Sequence, residues 1–311
     1  VATAAGLCFG SLGTDTGGSI RYPAMANGIV GLKPTYGRVS RHGVLELAGS
    51  LDHVGPMTRS VKDAAIMLEA IAGYDVSDAS SLEVAVPKIC DALTDDLSSI
   101  RIGVDERYLS NGTNSGLVDA LHQAIEVLAQ LGAQIVEIAM PESDPMNLRN
   151  AWLPICAYEA VRAHAANYPS RVNEYGGYFG DALKLGASMS AQDYAEATKL
   201  REKISREFES AMEPVDAVIC PSGGSVFAVQ KEAQYGDMEA LRPVIQHFQG
   251  QFTIPADLAG TPTITVPCGF SEAGHPYAVQ FLGSRLSELN LCRIGHAYEQ
   301  ATLWHQRYPK M

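Results

Sequence analysis

A short polar stretch near the beginning of the chain carries the residues best suited to chemistry. It reads Gly-Thr-Asp-Thr-Gly-Gly-Ser-Ile-Arg-Tyr-Pro-Ala and spans residues 13–24. Gly17 and Gly18 allow the backbone to turn where a Cβ atom would clash, and such a turn can aim consecutive N–H groups at one point. Ser19 follows directly, so a hydroxyl nucleophile and the donors for a developing oxyanion share one loop. This is the arrangement that acyl transfer requires.

A plain turn, a phosphate-binding loop and a nucleophile elbow are the alternatives to this catalytic interpretation. A Gly-Gly-Ser sequence is common in plain turns. A phosphate-binding loop has glycines at the separation of Gly13 and Gly18, but it continues with a lysine where this chain has Ser19. A nucleophile elbow ends in a glycine where this chain has Arg21. Spacing alone therefore leaves a catalytic loop and a structural turn as alternatives.

The stretch resembles the core of the amidase signature family, whose loop typically reads G-T-D-T-G-G-S-I-R-x-P-A. Further blocks are similar to the family, at residues 31–40, 50–61, 257–262, 266–269, 280–283 and 296–299. The similarity is strong over residues 1–75 and 250–308 and weak between them. The resemblance implies one domain over residues 1–311, with a variable helical region over 146–250 that helps to shape the substrate pocket.

The resemblance also implies a serine hydrolase that cleaves carboxamides with a Ser–cisSer–Lys triad. Ser19 matches the nucleophile, and the backbone N–H groups of Thr16, Gly17 and Gly18, with that of Ser19 itself, match the oxyanion hole. In this family a lysine acts as general base through the bridging serine, and water then hydrolyses the acyl-enzyme. Burial can keep such a lysine neutral. No cofactor and no metal are implied.

Asp15 and Arg21 are expected to support this loop rather than to react. Asp15 is suited to accept backbone N–H bonds, and Arg21 is suited to anchor the turn, although a substrate carboxylate could also use it. His53 follows Asp52 and invites comparison with a catalytic base. Because adjacent side chains rarely point the same way, we interpret His53 as a residue of loop packing.

The family places its bridging serine and its lysine upstream of the position of Val1. Residues 1–6 resemble the small-residue helix that follows that serine. We therefore expect the C-terminal part of a longer protein, with the domain incomplete at its N-terminus and the base supplied from upstream. Lys33, Lys62 and Ser11 are the nearest replacements in sequence, and we assign none of them to the triad.

Composition narrows the class of protein and its partners. Hydrophobic residues make up 46% of the 311 residues and charged residues 19%, which is typical of a globular protein. The net charge of −12 is unfavourable for binding nucleic acid or an anionic membrane. The six cysteines have no zinc-binding or redox spacing, which fits a reducing compartment. We therefore expect a cytoplasmic protein that binds a small-molecule amide, without direct nucleic-acid or membrane contact and with a homodimer as its possible assembly.

Hydrophobic periodicity predicts an α/β fold. Helical spacing covers residues 58–73, 116–131, 146–167, 191–212 and 286–304, and strand patterns cover 100–104, 133–138, 217–220, 263–267 and 278–282. The strand–helix–strand order from 100 to 138 predicts one βαβ unit with parallel strands. Together with the resemblance, this indicates a single α/β/α domain whose mixed, largely parallel central sheet is covered by helices on both faces.

Three functions are compatible with these residues. The first is hydrolysis of a carboxamide C–N bond to a carboxylic acid and an amine or ammonia, through an acyl-enzyme on Ser19. The second is the glutaminase-type A subunit of a tRNA-dependent amidotransferase, which has this fold and loop and supplies ammonia to a partner protein. The third is a catalytically inactive remnant of the fold. Because the chain lacks a convincing glutamine-binding signature, the second hypothesis ranks behind the first.

Overall fold

An eight-stranded mixed sheet forms the centre of the protein. The computed structural model describes residues 1–142, 144–225, 236–237, 239–240, 249–307 and 309. In chain order the strands are β1 (Gly10–Asp15), β2 (Val30–Lys33), β3 (His53–Thr58), β4 (Arg101–Val104), β5 (Gln134–Glu137), β6 (Ala217–Pro221), β7 (Thr263–Phe270) and β8 (Pro276–Leu282). Their order across the sheet is β1-β3-β2-β7-β8-β6-β4-β5.

Most neighbouring strands in this sheet are antiparallel. Among the described strands five pairings are antiparallel, and only β4 with β5 and β4 with β6 are parallel. The βαβ unit predicted for residues 100–138 is therefore confirmed. The prediction of a mixed sheet is also confirmed, but its description as largely parallel is wrong. The reason is that most neighbouring strands run in opposite directions. Among the strands described, β4 and β5 are the one pair of parallel neighbours that is joined by a single crossover.

Helices lie between and after these strands. They are α1 (Arg21–Asn27), α2 (Val61–Ile71), α3 (Glu106–Ser110), α4 (Ser115–Gln130), α5 (Pro145–Ala163), α6 (Gly177–Ser188), α7 (Ala191–Met212), α8 (Ile254–Ala259) and α9 (Glu288–Ala301). Short 3-10 helices cover Cys90–Ala92, Val172–Glu174, Gly250–Phe252 and Trp304–Gln306. The side chain of Ser60 caps α2 by accepting a hydrogen bond from the N–H of Asp63. The helices predicted from periodicity agree with the structure to within a few residues at most ends.

Alternate side chains of the central strands enter two different cores, because successive residues of a strand point to opposite faces. On β6, Ala217 and Ile219 pack with α2, α4 and α9. Val218 and Cys220 pack on the other face, with α7 and α8. Helices therefore cover both faces of the sheet, as predicted.

A third core joins the helical region to the loop at residues 47–52. Side chains from α5, α7 and α8 contact Ala48 and Leu51 of that loop. Within the helical region, Tyr175 and Phe179 pack edge-on against His164, so these aromatic residues contribute to packing. The parts of the predicted 146–250 region at 226–235, 238 and 241–248 lie outside the described residues. The contribution of the region to a substrate pocket stays a prediction.

Glu299 on α9 is expected to make the stability of the fold depend on pH. Its buried carboxylate accepts a hydrogen bond from the N–H of Val61, at the start of α2, at 2.9 Å. Burial raises the pKa of Glu299 to about 7, although this hydrogen bond opposes the rise. The folded protein keeps the proton over a range in which the unfolded chain has lost it. The free energy of unfolding should therefore decrease as the pH rises from about 4.5 to 7.

Glu299→Gln removes the charge and keeps an acceptor for Val61. We expect the variant to be more stable than the wild type at pH 8, by on the order of 1–3 kcal/mol, and nearly equal to it at pH 4. Denaturant titrations at the two pH values measure this difference. A difference in stability that does not change with pH would contradict the prediction.

Candidate active site

The Ser19 loop, residues 16–20, joins the end of β1 to the start of α1. Ser19 is exposed, whereas the residues on either side of it, 15–18 and 20, are buried. Within the described ranges no hydrogen bond engages the Ser19 hydroxyl. The loop therefore presents one accessible hydroxyl on an otherwise buried backbone.

Three successive peptide groups of this loop are held by hydrogen bonds to their carbonyl oxygens. The bonds are Trp152 Nε1 to Thr16 O at 2.8 Å, Thr253 Oγ1 to Gly17 O at 2.7 Å, and Tyr22 N to Gly18 O at 2.8 Å. In a trans peptide the C=O and the following N–H point in opposite directions. Each bond therefore also sets the direction of the next N–H group, which belongs to Gly17, Gly18 and Ser19 in turn.

Two N–H groups of the loop bind a carboxylate, and two others have no partner among the described residues. Asp15 accepts the N–H of Gly18 at 2.6 Å and the N–H of Ile20 at 3.0 Å. In the part of the chain that the structure describes, the N–H groups of Gly17 and Ser19 have no partner. Of the donors expected for the oxyanion hole, the N–H of Gly18 is thus engaged by Asp15 and those of Gly17 and Ser19 are not. The oxyanion hole itself stays a prediction.

Thr16 is held through its side chain as well as its carbonyl group. Its hydroxyl donates to Asp52 Oδ1 at 2.6 Å, and the second oxygen of Asp52 accepts the N–H groups of Leu47 and Ala48. The adjacent His53 faces other groups, so the Asp52–His53 pair forms no relay, as the sequence predicts. For Thr16 the structure thus shows an anchoring hydroxyl, which the sequence does not indicate.

Both glycines of the loop are required by close packing. A Cβ atom on Gly17 would lie 2.8 Å from the Trp152 indole ring. Gly18 has φ of +133°, which disfavours any side chain, and its Cβ would lie 3.0 Å from Thr253. The Gly-Gly pair therefore lets two side chains from distant parts of the chain approach the backbone next to Ser19.

Gly17→Ala is expected to displace the loop, since the new methyl group and the Trp152 ring would occupy the same space. Overpacking of this kind costs about 1–3 kcal/mol of stability. We expect amide turnover by the complete protein to fall by at least about tenfold, because the Gly17 N–H moves. Gly176→Ala is the matched control, since its Cβ would meet no atom within 4 Å. Thermal unfolding and turnover are measured for both, and equal effects of the two substitutions would argue against the prediction.

Behind the loop, a completely buried arginine joins two carboxylates. Arg21 donates to the two oxygens of Asp15 from Nε at 3.0 Å and from Nη2 at 2.9 Å, and Nη2 also lies 2.6 Å from Asp257 Oδ2. Its Nη1 donates to the carbonyl oxygen of Thr253 at 2.9 Å. These contacts fit the loop-supporting role expected for Asp15 and Arg21.

The pKa values of the two carboxyl groups beside Arg21 are shifted in opposite directions. Burial opposes the charge of Asp15, but Arg21 outweighs burial and holds the pKa of Asp15 below its usual value. At Asp257 burial dominates and raises the pKa well above its usual value, against the effect of Arg21 and with a further rise from Asp15. Asp15 is therefore the anion that receives the N–H groups of the loop.

Lys33 and His53 complete this buried cluster. Lys33 Nζ donates to the carbonyl oxygen of Thr261 at 2.5 Å, and burial lowers the pKa of Lys33 to about 8. His53 Nδ1 lies 3.2 Å from the Asp15 carbonyl oxygen and 3.6 Å from Asp257 Oδ1. Burial lowers the pKa of His53 well below its usual value, so the ring is neutral and Nδ1 carries the proton that the carbonyl accepts. Within the described ranges neither residue forms a hydrogen bond with Ser19.

Three residues that hold the loop were missed by sequence reasoning. Thr253 and Asp257 lie in the C-terminal part of the chain that resembles the family, but no pattern distinguishes them from their neighbours. Trp152 lies in the weakly similar middle, and its only signal is that the chain has just two tryptophans.

Neither a metal site nor a membrane-spanning helix is found in the part of the chain that the structure describes. The described residues contain no group of three or more His, Cys, Asp or Glu side chains that could hold a metal ion. None of the helices in those ranges combines the length and the apolar character needed to cross a bilayer.

The relatives in sequence carry one recurrent name. The chain is 38% identical to the A subunit of glutamyl-tRNA(Gln) amidotransferase from Geobacter metallireducens, over 98% of this chain and 66% of that protein. It is 36% identical to the protein of the same name from Listeria welshimeri, over 100% of this chain and 67% of that protein. The chain thus spans about two thirds of the length of the curated relatives it matches.

These names correct the expected partners. The sequence predicts a small-molecule amide, no direct nucleic-acid contact and a homodimer. The relatives are instead named as one subunit of an amidotransferase, and the name includes glutamyl-tRNA. The prediction is therefore wrong in leaving out other subunits and a tRNA-linked reaction. It relied on the net charge of the whole chain, which does not report on local surfaces or on the partners of an assembly.

Solved structures agree with the fold and its family. The A subunit of glutamyl-tRNA(Gln) amidotransferase from Thermotoga maritima is 31% identical, with a TM-score of 0.75 over 96% of this chain and 64% of that chain. A peptide amidase in complex with the competitive inhibitor chymostatin is 30% identical, with a TM-score of 0.82 over 100% of this chain and 66% of that chain. The Amidase family model matches residues 1–292. The chain therefore belongs to the Amidase family, that of the amidase signature enzymes.

Proposed function

We propose that the complete protein hydrolyses a carboxamide C–N bond through an acyl-enzyme on Ser19. The observation that carries the proposal is the exposed Ser19 hydroxyl on a loop whose Gly17 and Ser19 N–H groups are oriented and unengaged among the described residues. Membership of the Amidase family supports the same reaction.

The reaction proceeds in two steps. Ser19 Oγ attacks the amide carbon while its proton passes to the base, and the N–H groups of Gly17 and Ser19 stabilise the negative oxygen. The C–N bond then breaks, and the leaving nitrogen takes up a proton. Water hydrolyses the resulting ester and restores the Ser19 hydroxyl. The base is expected from the bridging serine and lysine of the family's triad, to which no residue among 1–311 is assigned.

The A subunit of a tRNA-dependent amidotransferase is the form of this reaction that the sequence relatives favour. Several of them, at 36–38% identity, are named as the A subunit of glutamyl-tRNA(Gln) amidotransferase. We therefore place this alternative ahead of a free-standing amidase. In this form the amide is that of glutamine, and its hydrolysis releases glutamate and ammonia. The ammonia passes to a partner protein for a reaction on glutamyl-tRNA(Gln). A cytoplasmic location is part of the proposal, supported by six free cysteines.

A fluorophosphonate probe tests the chemistry, and a glutaminase assay tests the form of the reaction. On the complete protein, mass spectrometry is expected to find the label on the peptide that contains Ser19. Ammonia release from glutamine is expected to increase when the co-purified partner proteins are present. Labelling of another residue, or none, would overturn the role of Ser19. Labelling of Ser19 with turnover of peptide amides but not of glutamine would favour the free-standing amidase.

A further inference from the structure

We propose that Trp152 on α5 is a positioning residue for the oxyanion hole. The inference rests on the proposed function, because it concerns the same Ser19 site. It assigns to the variable helical region a contribution to catalysis in addition to the expected contribution to the pocket. Three observations support it.

The first observation is the hydrogen bond from Trp152 to the loop. Its indole N–H donates to the carbonyl oxygen of Thr16 at 2.8 Å. That carbonyl and the N–H of Gly17 belong to one planar peptide group and point in opposite directions. Trp152 therefore fixes the direction of the Gly17 N–H, one of the donors expected for the oxyanion.

The second observation is the contact between the Trp152 ring and Gly17. A Cβ atom on Gly17 would lie within 2.8–3.0 Å of three ring atoms, so the ring covers the backbone at this position. Glycine has access to many backbone conformations. A large flat side chain that occupies the place of a Cβ atom limits that freedom. The ring therefore holds the peptide group in the orientation that the hydrogen bond selects.

The third observation is that α5 itself is fixed to the loop at residues 47–52, which also binds Thr16. Glu159 on α5 accepts the N–H of Ser50 at 2.8 Å and the Tyr194 hydroxyl of α7 at 2.7 Å. Arg201 on α7 donates to Ser50 as well, from Nη2 to its carbonyl oxygen at 3.0 Å. The 47–52 loop therefore connects both helices to Asp52, which binds the Thr16 hydroxyl. Thr16 is thus held by both Asp52 and Trp152, and the helix that carries Trp152 is fixed by its contacts with the 47–52 loop.

This arrangement predicts an effect on the transition state and not on substrate binding. The oxyanion exists only while the carbonyl carbon is tetrahedral, so the direction of the Gly17 N–H matters most at that point. Complete loss of one such donor lowers kcat by about 100–1000-fold. Loss of its positioning should be less severe, and we expect a decrease in kcat of about 10–100-fold with KM within about twofold of the wild type.

Trp152→Phe tests the inference in the complete protein, because it removes the indole N–H and keeps an aromatic ring. Trp304→Phe is the matched control, since Trp304 is the other tryptophan and packs near Phe270 instead. We expect Trp152→Phe to lower kcat. It should also weaken the binding of a substrate-like aldehyde that forms a tetrahedral adduct with Ser19. Its affinity for an unreactive amide analogue should stay unchanged, and Trp304→Phe should change none of these quantities.

Trp152→His separates positioning from packing, because imidazole keeps a ring N–H. It should recover part of the lost kcat relative to Trp152→Phe when both are measured where circular dichroism shows a native fold. No recovery, an unchanged kcat in Trp152→Phe, or equal losses for the aldehyde and the amide analogue would overturn the inference. Ser19→Ala distinguishes this failure from that of the proposed function, since only the latter leaves turnover intact in Ser19→Ala.

Discussion

Ser19→Ala is expected to reduce amide turnover by the complete protein by about 10⁶-fold, the loss seen when a serine hydrolase loses its nucleophile. The substitution removes one oxygen atom that is exposed and makes no hydrogen bond within the described residues. The free energy of unfolding should therefore stay within about 0.5 kcal/mol of the wild type, as for other surface changes. Initial rates with an amide substrate and denaturant titrations measure the two quantities.

Ser11→Ala is the control for Ser19→Ala. Ser11 lies on β1, close in sequence, and its hydroxyl is bonded to Thr3 Oγ1 at 3.0 Å. We expect Ser11→Ala to keep full turnover. Retained activity in Ser19→Ala would exclude the acyl-enzyme on this residue, and equal losses in the two variants would indicate damage to β1 instead.

Arg21→Met is expected to cause the largest loss of stability among the substitutions considered. It leaves the carboxyl groups of Asp15 and Asp257 buried without their shared cation. Breaking a buried ion pair by removing one partner costs about 3–5 kcal/mol. The matched control is Arg101→Met, because Arg101 is partly exposed and pairs with Asp216 at 3.4 Å. The control should lose no more than about 1 kcal/mol.

The pH dependence of this loss identifies its cause. In the wild type, Arg21 keeps the pKa of Asp15 low, so the stability from this pair is fully present above about pH 4. In the variant, burial raises the pKa of both carboxyl groups, so each can be protonated in the folded state as the pH falls. The deficit of Arg21→Met should therefore be larger at pH 8 than at pH 5. An equal deficit at both pH values would assign the loss to packing instead.

The parts of the fold that the sequence predicts well are those with a local pattern. α2, α4 and α7 have one apolar face each, and their observed ends agree closely with the predicted ranges. β1, β2 and β3 lack such a pattern: β1 reads Gly-Ser-Leu-Gly-Thr-Asp, and all four residues of β2 are buried. Their antiparallel pairing depends on partners elsewhere in the chain. This is why the parallel share of the sheet predicted from local patterns is too large.

The candidate site shows the same division between local and distant information. Ser19, Asp15 and Arg21 lie in one short stretch, and its resemblance to the family indicates their roles. The engagement of the Gly18 N–H by Asp15 depends on how the loop turns, which residue types alone do not specify. Trp152 and Thr253 reach the loop from 136 and 236 positions away in sequence, and neither has a local signal.

The distance in sequence between Arg21 and its carboxylate partner also has a consequence for biosynthesis. Asp257 lies 236 positions after Arg21, so a ribosome adding about 5–20 residues per second needs roughly 12–50 s to reach it. During that interval the nascent chain carries Ser19 without Thr253 and Asp257, two of the groups that order its surroundings. Long-range pairing of this kind also slows folding. We therefore expect the proposed hydrolytic activity to arise late in translation, when most of this sequence has been synthesised.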